Sequence, residues 1–357
     1  VNPRRGQNNV QGACDMGGLP NVYPGYQRVT DDGARAKFEA AWGVSLPDNV
    51  GLTVVEMVNG AETGQVRGMM IVGENPLLSD PDVNHARRCL ESLDFLVVQD
   101  IFLTETAKFA DVVLPGVSFA EKDGTFTNTS RRIQRVCKAI PEVGDSKADW
   151  RIICEISRRM GYPMNYSSPS EIMDEIASLT PIYGGVHYGR LDGEGLQWPC
   201  PDRNHPGTPY LYKDRFNRPN GRGHFTPVEY IPPAELPDEE YPFLLTTGRM
   251  LYHFHTGSMS RRSKPLSKIV PEGFLEMNPV DARRLKLKDE DWVKVSSRRG
   301  KVKIRVKITE RVEEGVVFMS FHFAESAANI LTNDALDPVA KIPEYKVSAV
   351  RIEKSEG

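Results

Sequence analysis

No stretch of this 357-residue chain is apolar for long enough to span a bilayer, so a soluble protein is expected. Charge of one sign is not in surplus either: 45 Lys and Arg face 48 Asp and Glu, a net charge of -3 with the charges spread along the chain. That balance gives no support to nucleic-acid binding. Cysteine is sparse and scattered. Cys14, Cys89, Cys137, Cys154 and Cys200 are odd in number and contain no C-x-x-C pair, which argues against both a disulfide framework and a cysteine-based metal motif. Reduced, partly buried thiols in a cytoplasmic protein are the simplest expectation. G-x-G-x-x-G is missing, which weakens an ordinary nicotinamide-binding reading. Internal repeats, low-complexity tracts and an opening signal segment are also missing. The chain begins with Val rather than Met, inside a motif, so a fragment or processed piece is expected.

What is present starts at the first residue. The segment from Val1 to Pro20 packs arginine, amides and glycines together without helical or strand periodicity, as a ligand-gripping loop would. Arg5 offers a planar fork of donors suited to a carboxylate or phosphate, and Gln7 follows it. A solvated terminus is the plain alternative.

Beyond it, Asp31 and Asp32 can cap a helix running through Ala34, Phe38 and Trp42 to a stop at Gly43. A short helix is expected near Leu52 to Val58. Gly68 to Val72 is a continuous apolar run suited to a buried parallel strand, and Gly73-Glu74-Asn75-Pro76 is its turn. A helix over Pro81 to Leu93, a second buried strand at Phe95 to Val98 and a third at Ala110 to Pro115 make residues 50–120 read as part of a doubly wound α/β sheet. Thr125 to Thr129 is extended. Helices follow at Lys147 to Met160, with Trp150, Ile153, Ile156 and Met160 on one face, and at Ser168 to Ser178. Residues 182–240, rich in Pro, Gly and aromatics, read as a long connection draped over neighbouring domains.

From about residue 241 the pattern turns to strands. Phe243 to Thr247 opens it, Asn278-Pro279 caps a short helix, and Trp292 to Ser296 alternates with Lys301 to Ile308 around Arg298-Arg299-Gly300 as a hairpin with one buried face. Gly315 to Phe321 and Val347 to Ile352 complete a small closed barrel.

Ligands of open α/β sheets bind at the carboxyl ends of the strands, where Gly73 to Pro76 and Gln99-Asp100 fall. A carboxylate there can accept from a ribose, or from the ring N–H and amino group of guanine. In the barrel segment, His253 and His255 sit two apart, a spacing open to a metal pair. Without a third ligand nearby, a phosphate or pterin contact and a satisfied structural histidine are the better readings.

RRGQNNVQGACDMGGLPNVYPGYQ resembles a segment of the catalytic subunit of molybdenum- or tungsten-dependent formate dehydrogenases, in the molybdopterin oxidoreductase superfamily. GENPLLSDPD, VVQDIFLTETAKFADVVLPG and EKDGTFTNTSRRIQ are similar to the family's domain for one guanosine end of bis(molybdopterin guanine dinucleotide). The strand-rich end looks like its double-psi β-barrel cap. The resemblance implies four segments: 1–7 closing a preceding α/β domain and holding the substrate loop, 8–120 binding the nucleotide, 121–240 connecting, and 241–357 as the cap. It implies that Arg5 orients formate with Gln7 beside it. Gly73, Asn75 and Asp100 would hold the nucleotide, Arg132 its phosphates, and Thr247, Arg249, His255, Asn329 and Lys346 the cofactor from the cap. Asn75 as a plain turn residue, Asp100 as a helix cap and Arg132 as a surface charge stay open beside these roles. No residue here is expected to ligate the metal; that ligand and a 4Fe-4S cluster belong to a preceding half of the subunit, with iron-sulfur electron-transfer subunits as further partners. A nitrate reductase, an NADH-quinone oxidoreductase large-subunit relative and a noncatalytic cofactor-binding module are the rival readings.

Overall fold

A computed structural model describes residues 7–355; Arg5 lies outside the described residues. The chain divides into two compact units. Among the described residues, one joins 7–53 to 115–228 and the other joins 54–114 to 229–355. The α/β stretch therefore groups with the strand-rich end and not with residues 8–53.

In the second unit, Gly68–Val72 and Phe95–Asp100 pair in parallel, Gly68 opposite Phe95 and Val72 opposite Gln99, with Val112–Pro115 as third strand. Period-2 alternation sends Ile71, Leu96 and Val98 to one face. There they meet Val58 and Ala61 of the helix Val54–Glu62 and Ala86, Cys89 and Leu90 of the helix Val83–Glu91. Asp82 caps the second helix by accepting from His85 N at 3.2 Å. The expectation of strands buried on both faces is corrected: Met70, Val72, Phe95 and Val113 on these strands remain exposed, since the two helices cover only one side. The helix expected at Leu52 to Val58 runs instead over Val54–Glu62.

The strand-rich end closes into a six-stranded barrel in the order Phe274–Met277, Lys301–Ile308, Trp292–Ser296, Ser348–Lys354, Phe243–Gly248, Val316–Ser320. Two of its pairings are parallel and the others antiparallel. Alternation turns Leu275, Met277, Val293, Val295, Val302, Ile304, Val306, Val317, Met319 and Val350 inward; each such burial contributes about 1.5–3 kcal/mol before chain entropy is counted. Gly248 ends its strand where a Cβ would lie 2.6 Å from the Phe318 ring. The helix Pro279–Arg284 is capped by Asn278, whose Oδ1 accepts from Val280 N.

The first unit carries the helix Asp32–Trp42, capped by Asp31 and stopped by Gly43 at φ 69°. The helix Pro169–Leu179 is capped by Ser168. In the helix Asp149–Arg159 the buried residues are Ile152 and Cys154, while Ile153 and Met160 are exposed, so the expected apolar face is not the covered one. Within residues 182–208, Tyr183, Val186, Leu191, Leu196 and Cys200 pack with Ile133 and Met173 as a core. From residue 198 to residue 242 the chain has no regular element. Among the described residues no disulfide is formed; Cys14, Cys89, Cys154 and Cys200 are buried and Cys137 is exposed.

Candidate functional site

Within the second unit, the turn after Gly68–Val72 and three loops of the barrel enclose a cavity of about 690 Å³. Glu74, Pro76, Ser79 and Asp80 line it from the α/β layer. Gly248, Arg249, His255, Phe321, Asn329, Tyr345 and Lys346 line it from the barrel. Hydrogen bonds tie the two sides together. Asn329 Nδ2 donates to the carbonyls of Leu78 (3.1 Å) and Ser79 (3.0 Å), Tyr345 OH donates to Ser79 O (2.9 Å), and Asn84 Nδ2 donates to Arg299 O (3.1 Å).

The cavity's charges are split. Burial pushes the Asp80 carboxyl up to about 6, with the Glu74 charge adding to the shift, and burial together with the Asp100 charge raises Glu74. On the barrel side burial lowers Lys346, helped by the Arg249 charge, and lowers His255 in the same way. Both sets of shifts mean that each charge lacks full compensation from its neighbours, and an incoming ligand of matching polarity would supply it. Asn329 Oδ1 is buried without a hydrogen-bond partner, an acceptor aimed at nothing in the chain. Lys346 Nζ donates to Thr247 O (2.6 Å), and Thr247 Oγ1 donates to Tyr345 O (2.7 Å), so Thr247 holds the Tyr345-Lys346 loop and is not itself a cavity residue.

The histidines separate into roles. His253 is buried, its Nε2 on Val270 O (2.8 Å) and Nδ1 near Ser260 Oγ (3.2 Å), a satisfied structural histidine. His322 Nε2 accepts from Met250 N (2.8 Å) and its Nδ1 bonds His255 O, which fixes the neutral ring with the proton on Nδ1. That contact holds His255 at φ 48° at the cavity wall. His253 and His255 lie in a loop and take separate roles despite their two-apart spacing.

The other sequence-derived candidates fall as follows. Gly73 takes φ 66°, and a Cβ there would meet nothing within 4 Å, so its surroundings are open. Asn75 is buried and spends its side chain inside the chain: Oδ1 accepts from Thr106 N (3.1 Å) and Thr106 Oγ1 (2.8 Å), and Nδ2 donates to Glu105 (2.8 Å). Asp100 Oδ1 accepts from Phe102 N (3.0 Å), which orders the turn after its strand. Arg132 and Gln7 lie in the first unit. The Arg132 guanidinium donates to Glu194 O (3.2 Å), Gly195 O (3.4 Å) and Gln197 Oε1 (3.1 Å); Gln7 is half-buried in a bend. Asp80, Ser79 and Phe321 escaped the sequence reading. The Ser79-Asp80-Pro81-Asp82 turn, one helical turn beyond Asn75, was the available signal.

Two carboxylates, two cations and the unpartnered Asn329 amide oxygen lining one cavity fit a ligand that carries both N–H donors and phosphate groups. Comparison with known proteins bears on which ligand. Residues 243–349 match the molydopterin dinucleotide binding domain, and residues 2–159 match molybdopterin oxidoreductase. The chain is 55% identical to the F420-dependent formate dehydrogenase subunit alpha of Methanocaldococcus jannaschii, over 99% of this chain and 52% of that one. It is 44% identical to formate dehydrogenase H of Escherichia coli, over 99% of this chain and 50% of that one. The chain thus spans about half the length of the curated relatives it matches. Among solved structures, acetylene hydratase from Pelobacter acetylenicus shares the fold at a TM-score of 0.64 and 18% identity, over 90% of this chain and 50% of that one.

Proposed function

The chain belongs to the molybdopterin oxidoreductase family, and from that premise we propose that it forms the C-terminal half of a formate dehydrogenase catalytic subunit, oxidising formate to CO2 or running the reverse. Bis(molybdopterin guanine dinucleotide) with molybdenum or tungsten would supply the two-electron redox chemistry. On this reading the preceding half provides the metal ligand and a 4Fe-4S cluster, and iron-sulfur subunits carry the electrons onward.

The cofactor reading is carried by one observation, the cavity of the second unit with Arg249 and Lys346 on one side and Glu74 and Asp80 on the other. The cations suit a pyrophosphate. A carboxylate suits the ring N–H and amino group of guanine, and Asn329 Oδ1 is a further acceptor without a partner in the chain. Gly73 would let a ligand approach its backbone, and Asp100 would accept from a ribose or base. Thr247 would act by holding Lys346, and Asn75 by holding the turn. Arg132 could serve a phosphate only by giving up the carbonyls it now binds.

Arg5, with Gln7 beside it, is assigned to the formate carboxylate. A bidentate fork neutralises its charge and fixes the direction of its C–H bond. The exposed Met70, Val72, Phe95 and Val113 support a covering partner on the outer sheet face, since parallel sheets are ordinarily covered on both sides. The free thiols of Cys89, Cys137, Cys154 and Cys200 support a reducing, cytoplasmic location.

The test uses the intact protein that carries this chain. Denaturation should release a guanosine-containing pterin, and formate should reduce a dye. Arg5→Lys, which keeps charge and loses the fork, should lower formate turnover by roughly a hundredfold. Unchanged turnover in that variant would remove Arg5 from the mechanism. Nitrate-dependent oxidation of reduced dye would favour a nitrate reductase, and cofactor without either reaction a noncatalytic module.

A further inference from the structure

A second cluster of ligand-type side chains lies on the α/β layer and lines no part of the cavity. His85 and Cys89 are one turn apart on the helix Val83–Glu91, so both project from the same face. Asn59 and Glu62 are spaced three apart on the helix Val54–Glu62 and meet them. The thiol, an imidazole nitrogen and a carboxylate oxygen of Cys89, His85 and Glu62 all lie within 4.8 Å of one another.

The separations of Cys89 Sγ, His85 Nε2 and Asn59 Oδ1 are close to those of a coordination shell. Zinc bonds of about 2.3 Å to sulfur and about 2.0–2.1 Å to nitrogen and oxygen, at tetrahedral angles, place sulfur and nitrogen about 3.6 Å apart and nitrogen and oxygen about 3.4 Å apart. His85 Nε2 stands 3.4 Å from Cys89 Sγ and 3.1 Å from Asn59 Oδ1, and Glu62 Oε2 is 3.8 Å from the Nδ1 of the same ring. Glu62 Oε2 lies beside the other ring nitrogen, and a rotation of its half-exposed side chain to the Nε2 side completes the shell.

We propose that Glu62, His85 and Cys89, with the Asn59 amide oxygen as fourth donor, form a zinc site that ties the helix Val54–Glu62 to the helix Val83–Glu91. One thiolate, one imidazole and one carboxylate suit a borderline divalent ion; the hard cations calcium and magnesium are ill served by sulfur. Binding releases the proton of the Cys89 thiol to solvent, and the His85 proton that now faces Asn59 Oδ1 moves from Nε2 to Nδ1 so that Nε2 can bind the ion. Cys89 is fully buried while Glu62 is exposed, so the ion enters from the Glu62 side and is held from the Cys89 side. The site is distinct in composition and place from the cofactor cavity and is independent of the formate reading.

The test equilibrates the intact protein with buffered Zn2+, counts bound zinc by mass spectrometry of the metal, and records X-ray absorption at the zinc edge. One zinc per chain with a single sulfur neighbour is expected. Cys89→Ser should remove the sulfur signal. Glu62→Gln, at an exposed position, should weaken zinc binding by roughly tenfold or more while formate-dependent dye reduction is retained. No retained zinc, zinc without a sulfur neighbour, or equal binding in wild type and Glu62→Gln would each overturn the proposal.

Discussion

Asp15 and Asp80 are both buried carboxyl groups whose affinity for a proton is raised by burial, yet their surroundings differ in kind. Asp15, in the first unit, accepts from Gln11 Nε2 (2.7 Å), Tyr26 OH (2.8 Å), Tyr183 OH (2.7 Å) and Trp198 Nε1 (2.7 Å). Four donors drawn from four segments make it a hub for the fold around it. Asp80 has the 3.3 Å contact from Ser79 Oγ and faces an open cavity. A buried carboxylate that the chain satisfies is architecture; one that the chain leaves short of donors, beside equally under-compensated cations, is prepared for a ligand.

The comparison can be broken most forcefully at Asp15. Asp15→Ala strands four donors in the interior and should lower stability by about 4 kcal/mol, seen as a large fall in the thermal midpoint of the intact protein. A change under about 1 kcal/mol would deny its role as a hub.

Asp80→Asn should act in the opposite direction, and only in part of the pH range. In the fold the carboxyl titrates at about 6 against 3.8 in the unfolded chain, so the folded state holds the proton longer and ionisation costs stability. The cost is absent below about pH 4, grows as pH rises between about 4 and 6, and levels off above at about 3 kcal/mol. The variant should therefore be more stable than wild type above pH 6 when cofactor-free, and equal to it below pH 4. Melting curves across that window check the sign. Cofactor loading should shrink the difference, because a bound donor compensates the ionised Asp80.

Asn75 sharpens the contrast from the other side, as a cavity-edge residue whose polar atoms are all engaged. Asn75→Ala should cost about 2 kcal/mol of stability through Thr106 and Glu105. If it left stability unchanged and abolished cofactor retention, direct ligand contact would replace the turn-holding role given to it here.

Much of the fold was legible because its signals are local. The alternation of Trp292–Ser296 and Lys301–Ile308 fixes a hairpin with one buried face, and Asp31, Ser168 and Asn278 mark helix starts through hydrogen bonds three or fewer residues long. The strand Phe274–Met277 was not legible: four residues carry too little periodicity, and its parallel pairing with Lys301–Ile308 is purely tertiary. Ile153 and Met160 misled because helical spacing names an apolar stripe without saying what covers it. The cavity was only half legible. Arg249, His255, Asn329 and Lys346 were reached through resemblance, whereas Asp80 lines the cavity beside Ser79, whose carbonyl accepts from Asn329 and Tyr345 some 250 residues away, a proximity that no local pattern encodes. His85 and Cys89 lie one helical turn apart, but their partners Asn59 and Glu62 come from another helix, so the cluster falls outside any cysteine-spacing rule.

The central claim is that the cavity of the second unit holds the guanosine end of a pterin dinucleotide through Arg249 and Lys346. Guanosine monophosphate released per chain by acid hydrolysis tests it most directly, comparing wild-type protein with Arg249→Ala/Lys346→Ala made in the same cofactor-producing host. Two lost charge-assisted contacts of about 1.5–3 kcal/mol each should reduce retained nucleotide by tenfold or more while the thermal midpoint of the cofactor-free protein stays within a few degrees of wild type. Equal guanosine monophosphate in the two proteins would contradict the account.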